Sequence, residues 1–370
     1  MKRKTRNIIL LSIGIIISLV IYGRHNFESD KQQLLALKTK VANGHITYAI
    51  DTMNKMDGYS NPLINMSYKR WKKEMFARFV TKDEVIENTS GNKIVFEISN
   101  IYREYWREQL LIENKEERTD TTLYIKLTNY LISNNLTTIS RDSLSKTIKN
   151  DSEMKRIIES QGFKTKFMYR NGFQEIIIWD DETVNQYEVM LPKDTINAKV
   201  IFIENYHLNG YDNYASIGSS KVGGWAIKES ATLYCNKGEY NLTSEKFKTS
   251  YLKHESIHFT DLNDYPNLSS ADLEYRAKII ELMYCTKSTI HDIINDFIHA
   301  ADSSQRTHSH PYANYSLIKN LSKQVFNSEF ESTASKWKKV DAEKINEAAL
   351  KLYETSEMIL QKDTTVSKII

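Results

Sequence analysis

The segment His254-Glu255-Ser256-Ile257-His258 combines side chains whose types and spacing could do chemistry. Residues four apart in an α-helix lie on one face, so the two imidazoles would be neighbours. Two imidazole nitrogens presented in this way can bind one Zn²⁺, each at roughly 2.0–2.1 Å. Glu255 lies beside them and could take a proton from a metal-activated water. The spacing therefore predicts a zinc site with an adjacent general base.

The residues around this motif predict a helix without reference to it. Thr243 or Ser244 could cap the first turn, where the helix dipole favours the negative charge of Glu245. Apolar residues then recur at helical spacing from Phe247 to Leu262. The alternative is that the two histidines are ordinary helical residues, held by backbone or carboxylate partners.

A second helix, predicted to begin near Ser269, offers a third ligand. Glu274 and Glu281 are seven residues apart and therefore share a helix face. We predict Glu274 as the ligand, because cap and turn residues bring that end of the helix back toward the first. Glu281 is the alternative. Arg276 and Lys278 are interpreted as the solvated side of the same helix.

HExxH on one helix followed by a glutamate on a second resembles the gluzincin (thermolysin-like) zinc metallopeptidases, over about residues 225–281. The resemblance implies peptide hydrolysis with Glu255 as the general base and three zinc ligands: His254, His258 and Glu274. In that family an acid often lies four residues beyond the third ligand. This chain has Lys278 there, so the residue that would support the histidines is not identified by the motif.

A glycine-rich strand just upstream of the motif is the predicted substrate-binding element. In the resembled family, a strand in this place borders the cleft and pairs with an extended substrate. Gly223 and Gly224 would let another backbone come close, and Trp225 follows them directly. The alternative is that the two glycines form a bulge or a turn in the sheet.

A loop downstream of both helices offers donors for the oxyanion of a peptide substrate. Zinc peptidases stabilise this oxyanion with a hydrogen-bond donor, usually from His, Tyr or Arg. His310 and Tyr312 are the predicted donors, with His308 as the alternative. The simpler interpretation is an exposed loop that happens to carry histidines.

The chain has two cysteines, Cys235 and Cys285. If the body of the protein is exported, a disulfide between them is permissible. A further alternative makes Cys235 the third zinc ligand, since thiolate binds zinc well.

The hydrophobic pattern changes along the chain and predicts an α+β fold. Helical periodicity dominates the first part, including a helix between Leu34 and Met53 that could break at Asn43-Gly44. Strand-like segments follow from Phe163 onward, with a hairpin turn at Asn171-Gly172. We expect a mostly helical N-terminal region and a small, mainly antiparallel sheet packed on the metal-site helices. The predicted divisions are an anchor (1–23), a helical region (24–162), a metallopeptidase-like domain (163–325) and a C-terminal helical segment (326–370).

Four basic residues precede an apolar run, Ile8–Tyr22, at the start of the chain. This pattern predicts an uncleaved N-terminal signal anchor, a membrane helix that leaves the body on the periplasmic or extracellular side. The alternative is a secreted protein whose signal peptide is cleaved. The whole chain has a formal net charge of only +3, so nucleic acid is not an expected partner.

These features together predict a membrane-anchored, zinc-dependent hydrolase, most simply a metallopeptidase acting on a peptide or protein substrate. Two alternatives remain. The first is a non-catalytic exported protein in which the HExxH helix is structural or binds a structural metal. The second is a binding module whose helical N-terminal region recognises a partner.

Overall fold

The computed structural model of the chain describes residues 26–170, 172–220, 222–227 and 231–370. It confirms the α+β class, with a helical N-terminal region and a sheet of five strands. The described residues form two compact units. One contains the chain up to Asp180 together with Asn205–Val222, and the other contains Asp181–Glu204 and Gly223–Ile370.

The first unit is mainly helical, and its core is built from the apolar faces of its helices. The predicted break at Asn43-Gly44 is confirmed, since one helix ends at Ala42 and the next begins at Ile46. Gly44 has a φ of 85°, a left-handed conformation that favours glycine. The helices are α1 (Phe27–Ala42), α2 (Ile46–Lys55), α3 (Pro62–Phe79), α4 (Lys93–Leu110), α5 (Thr121–Ser133), α6 (Arg141–Thr147), α7 (Ser152–Ser160) and α8 (Gly210–Ala215).

The five strands form one mixed sheet. They are β1 (Lys164–Arg170), β2 (Phe173–Met190), β3 (Thr195–Asn209), β4 (Gly224–Ile227) and β5 (Thr232–Asn236), in the order β1-β2-β3-β5-β4. Arg170 pairs with Phe173, so a two-residue turn joins the antiparallel strands β1 and β2, as predicted. Strands β4 and β5 are also antiparallel, whereas β3 and β5 are parallel. Strand β4 is therefore an edge strand.

The second unit contains all the helices that follow the sheet. They are a π-helical segment (Phe247–Lys253), α9 (His254–Asp264), α10 (Ser270–Tyr284), α11 (Ile290–His299), α12 (Ser309–Phe326), α13 (Ala334–Trp337) and α14 (Ala342–Lys362). Their apolar faces share one core with the strands of this unit. Helix α10 is buried nearly all round, which is typical of a central helix.

A buried ionic network fixes α10 against two neighbouring helices. The Arg276 guanidinium, only 1% exposed, donates two hydrogen bonds to the Asp261 carboxylate of α9, at 2.7 and 2.8 Å. It also pairs with Glu357 of α14. The interpretation of Arg276 and Lys278 as a solvated face is therefore wrong, because both side chains are buried. Their charges face protein partners, such as the ring of Phe297 at 4.7 Å from the Lys278 ammonium.

The prediction of a membrane-anchored protein with an exported body is corrected by the structure. No helix among the described residues is both long and apolar enough to cross a lipid bilayer. The predicted signal anchor at residues 1–23 lies outside the described residues. Membrane anchoring is therefore not supported, and export of the body is not shown either.

Replacing Arg276 by methionine should lower the free energy of unfolding of the second unit by about 3–5 kcal/mol, because Asp261 and Glu357 would keep buried charges without their partner. Urea denaturation followed by circular dichroism measures this loss. Lys323 is the control, since its ion pair with Glu329 is exposed. Lys323→Ala should cost less than about 0.5 kcal/mol. Equal losses for the two variants would contradict a bracing role for Arg276.

Candidate metal centre

The first helix of the site begins at Ser244. Its hydroxyl oxygen accepts a hydrogen bond from the Phe247 amide at 3.1 Å, which satisfies one of the free amides of the first turn. The turns that follow are π-helical, and the α-helical geometry of α9 starts at His254. π-Helical turns occur frequently at functional sites. The buried rings of Phe247 and Tyr251 stack at 5.6 Å and anchor this segment in the core.

The structure brings His254, His258 and Glu274 together. One donor atom from each of these residues lies within 4.8 Å of the others. The Nε2 atom of His254 is 3.3 Å from Oε2 of Glu274, and the Nε2 atom of His258 is 3.6 Å from Oε1. The Glu274 carboxylate thus faces the same nitrogen of both rings. A cation held by these three groups would bind the two Nε2 atoms and a carboxylate oxygen.

Glu281 contacts the other ring nitrogen of His254. Its Oε1 atom is 2.7 Å from Nδ1, and both side chains are buried. A carboxylate in this place fixes the ring orientation and the tautomer of a metal-binding histidine. Glu281, the alternative ligand in the sequence analysis, therefore lies behind His254, on the side away from the three-residue cluster. Glu281 is therefore the carboxylate that supports a histidine of the cluster, which the motif alone does not identify.

The electrostatics of the two histidines differ sharply. Burial lowers the pKa of His254, but hydrogen bonds with Glu274 and Glu281 outweigh it and raise the pKa to about 10. Burial lowers the pKa of His258 to about 4, against the attraction of Glu274. His258 is therefore neutral at pH 7 and can donate its nitrogen lone pair to a cation. Burial raises the pKa of Glu274, but hydrogen bonds with His254 and His310 outweigh it and hold the pKa well below the ordinary value, so Glu274 is ionised.

These residues fit Zn²⁺. Two imidazoles and one carboxylate are the donor set of many catalytic zinc sites, which keep a fourth position for water or substrate. The two rings are nearly perpendicular, at 87°, with centroids 5.1 Å apart.

Glu255 follows the first histidine of the cluster. Burial raises the pKa of its carboxyl group, and the charge of His254 opposes this shift. The negative charges of Glu274 and Glu281 add to the increase. A carboxylate with a raised pKa is a stronger base than an exposed glutamate, which suits proton transfer near neutral pH.

The two predicted oxyanion donors have different places in the structure. The Nδ1 atom of His310, in the first turn of α12, is 2.9 Å from Oε2 of Glu274, and the His310 side chain is 63% exposed. His310 therefore lies at the solvent side of the cluster. The ring of Tyr312 instead packs under the guanidinium of Arg306, at 5.3 Å. His308, the alternative, precedes α12 as its N-cap residue.

Gly224 brings strand β4 against the helical segment that leads to the site. A Cβ atom at Gly224 would lie only 2.4 Å from the Tyr234 carbonyl oxygen and 2.8 Å from the Tyr251 ring. Only glycine fits there. Trp225 stacks on Tyr234, with ring centroids 4.8 Å apart and an interplanar angle of 8°. Gly223 precedes the strand and pairs with β5 through its carbonyl oxygen.

Both cysteines are free and buried, so the disulfide considered in the sequence analysis is absent from the described residues. Burial raises the pKa of the Cys235 thiol to about 12 and that of Cys285 to about 11. Cys285 donates a hydrogen bond to the Thr249 hydroxyl at 3.5 Å. Cys235 is not part of the three-residue cluster, which takes Glu274 as its third member.

Comparison of the chain with protein-family models, with curated proteins and with solved structures found no match. The resemblance to gluzincins thus stays a prediction from the motif.

Zinc binding should release about one proton per ion between about pH 5 and pH 6.5. In this range His254 is protonated, with a pKa of about 10, and must lose a proton to bind the metal. His258, with a pKa of about 4, is already neutral and releases none. Affinity should therefore rise about tenfold for each pH unit. Isothermal titration calorimetry in buffers of different ionisation enthalpy counts the protons, and a count near zero or two would contradict these protonation states.

Glu281→Gln should weaken zinc binding by about 10- to 100-fold at pH 8, because the ring of His254 loses its carboxylate partner. Competition with a chromophoric chelator measures the affinity. Glu354→Gln, on the exposed face of α14, is the control and should leave the affinity unchanged. Equal affinities of the two variants would show that Glu281 does not support the site.

Proposed function

We propose that this chain is a zinc-dependent hydrolase, and most simply a peptidase that cleaves peptide bonds with water. The observation that carries the proposal is the convergence of His254, His258 and Glu274, with Glu255 beside the first histidine. Three protein ligands leave one coordination position for water or substrate, whereas structural zinc sites usually have four protein ligands. A carboxylate base next to such a position is the arrangement that hydrolysis by a water nucleophile requires.

Bound Zn²⁺ would supply a Lewis acid that polarises the scissile carbonyl and lowers the pKa of a water molecule. The residues of the chain would do the rest. Glu255 accepts a proton from the attacking water and passes it to the leaving amine. His310 donates a hydrogen bond to the oxyanion that forms on the substrate carbonyl. Glu281 holds the imidazole of His254 in the orientation that binding needs.

The choice of a peptide as substrate is supported by β4. This strand lies at the edge of the sheet, and an extended peptide can add to such an edge through main-chain hydrogen bonds. Gly224 lies against Tyr251, one helical turn before Glu255, so β4 runs close to the segment that bears the base. The resemblance of the motif to gluzincins points in the same direction.

Glu255→Gln should retain zinc and fold but lose turnover by at least about 100-fold, because glutamine cannot accept the proton. Cleavage of a peptide library by the zinc-loaded chain, read by mass spectrometry, measures turnover, and zinc content is measured on the same preparation. A variant that cleaves as fast as the parent would refute Glu255 as the base. A parent chain that binds zinc but cleaves no peptide would refute the peptidase assignment.

A structural zinc site is the second candidate, and one contact favours it. His310 lies 2.9 Å from Glu274, so it could complete a closed site of three histidines and one glutamate. The two candidates differ in the effect of His310→Ala. The proposed hydrolase should keep its zinc affinity and lose about 100- to 1000-fold in kcat. A structural site should instead lose zinc affinity, which chelator competition would detect.

A further inference from the structure

Lys278 carries a buried ammonium group that no carboxylate of the described residues neutralises. The residue is only 7% exposed. Its nitrogen lies 4.7 Å from the centroid of the Phe297 ring, and within the described part of the chain it makes no hydrogen bond or ion pair. An aromatic ring attracts an ammonium, but it does not replace the hydrogen bonds that three N–H donors make in water. Because burial of an unpaired charge is costly, the ammonium points to an anionic ligand.

The two acids on the same helix face as Lys278 are engaged by histidines. Glu274 precedes Lys278 by four residues and Glu281 follows it by three, so all three residues lie on one face of α10. The Glu274 carboxylate contacts His254 and His310, and the Glu281 carboxylate contacts the other nitrogen of His254. The imidazoles therefore take both carboxylates that could have paired with the ammonium.

Lys278 lies one helical turn from the candidate metal centre. It follows Glu274 by about 6 Å along the axis of α10, and side chains of an α-helix lean toward its N-terminus. Lys278 therefore leans toward Glu274. Its charge also acts on the cluster, since burial lowers the pKa of His258 and repulsion by Lys278 adds to this decrease. The ammonium is thus close enough to contact a substrate that is bound at the cluster.

A second buried polar group lies on the neighbouring helix α12. Asn314 is 4% exposed, and its Oδ1 atom has no hydrogen-bond partner among the residues that the structure describes. It follows His310 by four residues, as Lys278 follows Glu274, and the His310 ring contacts the Glu274 carboxylate at 2.9 Å. Each helix thus places one such group one turn beyond the same contact. An ammonium and an amide oxygen match the carboxylate and the main-chain N–H of a peptide.

We propose that Lys278 binds a carboxylate of the peptide substrate, one or two residues from the bond that is cleaved, and that Asn314 accepts a hydrogen bond from a main-chain N–H beside it. This inference rests on the proposed hydrolase function and names its substrate class, peptides with a carboxylate near the cleavage site. The spacing agrees, because an extended peptide advances about 3.3 Å per residue and Lys278 lies about 6 Å beyond Glu274. Both a free C-terminus and the side chain of Asp or Glu supply such a carboxylate.

The first test compares Lys278→Met with Lys319→Met in the full chain loaded with cobalt(II). Lys319 is the matched control, because its ammonium also lies near an aromatic ring, that of Tyr315, at 5.9 Å. Glutarate and its monoamide, which differ in one carboxylate, are the probes, and the visible absorption of cobalt follows their binding. The parent and Lys319→Met should bind glutarate about 10- to 100-fold more tightly than the monoamide, as expected for a hydrogen bond between charged groups. Lys278→Met should reduce this ratio to about twofold, the statistical advantage of two identical ends.

Peptide cleavage by the zinc-loaded variants identifies the source of the carboxylate. One pair of peptide libraries ends in a free carboxylate or in an amide, and a second, amidated pair carries Glu or Gln at one position. A preference of about tenfold or more for the free C-terminus assigns the terminal carboxylate, and the same preference for Glu assigns a side chain. Lys278→Met should lose the preference, and Lys319→Met should keep it. Asn314→Leu should keep it too, but lower kcat/KM for every peptide by about two- to tenfold, and an unchanged kcat/KM would overturn the role of Asn314.

Stability separates a binding role of Lys278 from a structural one. Lys278→Met removes an unpaired buried charge, so the midpoint of urea unfolding should equal that of the parent or rise. A lower midpoint, or loss of cobalt binding, would mark Lys278 as structural and overturn the inference. A parent that hydrolyses peptides without preference for a carboxylate would also overturn it, while leaving the hydrolase proposal intact. A parent chain that binds no metal would refute the proposed function and this inference together.

Discussion

The carboxylate of Glu274, held between the imidazoles of His254 and His258, is the contact on which the rest of the structure depends. It requires α9 and α10 to meet in one register. Two further contacts impose that register, His254 with Glu281 near the start of α9 and Asp261 with Arg276 near its end. His254 precedes Asp261 in α9, whereas its partner Glu281 follows Arg276 in α10, so the two helices run antiparallel. Both contacts are buried, where an unpaired charge is costly, and the register is therefore strongly specified.

Other elements of the second unit contact α9 and α10, the two helices that carry the cluster. Helix α14 contributes Glu357 to the buried guanidinium of Arg276. Helix α12 brings His310 to the solvent side of Glu274. The sheet contacts the π-helical segment, where the missing side chain of Gly224 lets β4 pack on the ring of Tyr251. Packing of helices and strands, rather than long loops, thus brings together the candidate base Glu255, the three candidate metal ligands and the edge strand β4.

Much of this arrangement could be predicted from the sequence, because it depends on short-range patterns. Helical spacing placed the histidine pair on one face, and a cap of Ser244 on Phe247 begins the helix where the sequence suggested. The two-residue turn between β1 and β2 and the helix break at Gly44 follow from local backbone preferences. The parallel pairing of β3 with β5 has no such local signal, because it depends on a crossover through β4.

The features that sequence analysis missed depend on residues far apart in the chain. Spacing put Glu274 and Glu281 on one face of α10, but only the packing of α9 decides which nitrogen each acid contacts. The sequence favours an exposed Arg276, because charged residues usually lie at the surface. Its burial depends on Glu357, which lies in a helix much later in the chain.

The central claim is that one cation binds two imidazoles and one carboxylate with a position left open. X-ray absorption spectroscopy of the zinc-loaded chain tests this claim most directly. The account predicts one zinc ion with two histidine nitrogens at roughly 2.0–2.1 Å and oxygen ligands at a similar distance, and no sulfur. A sulfur shell near 2.3 Å, or a zinc ion without histidine scattering, would contradict it.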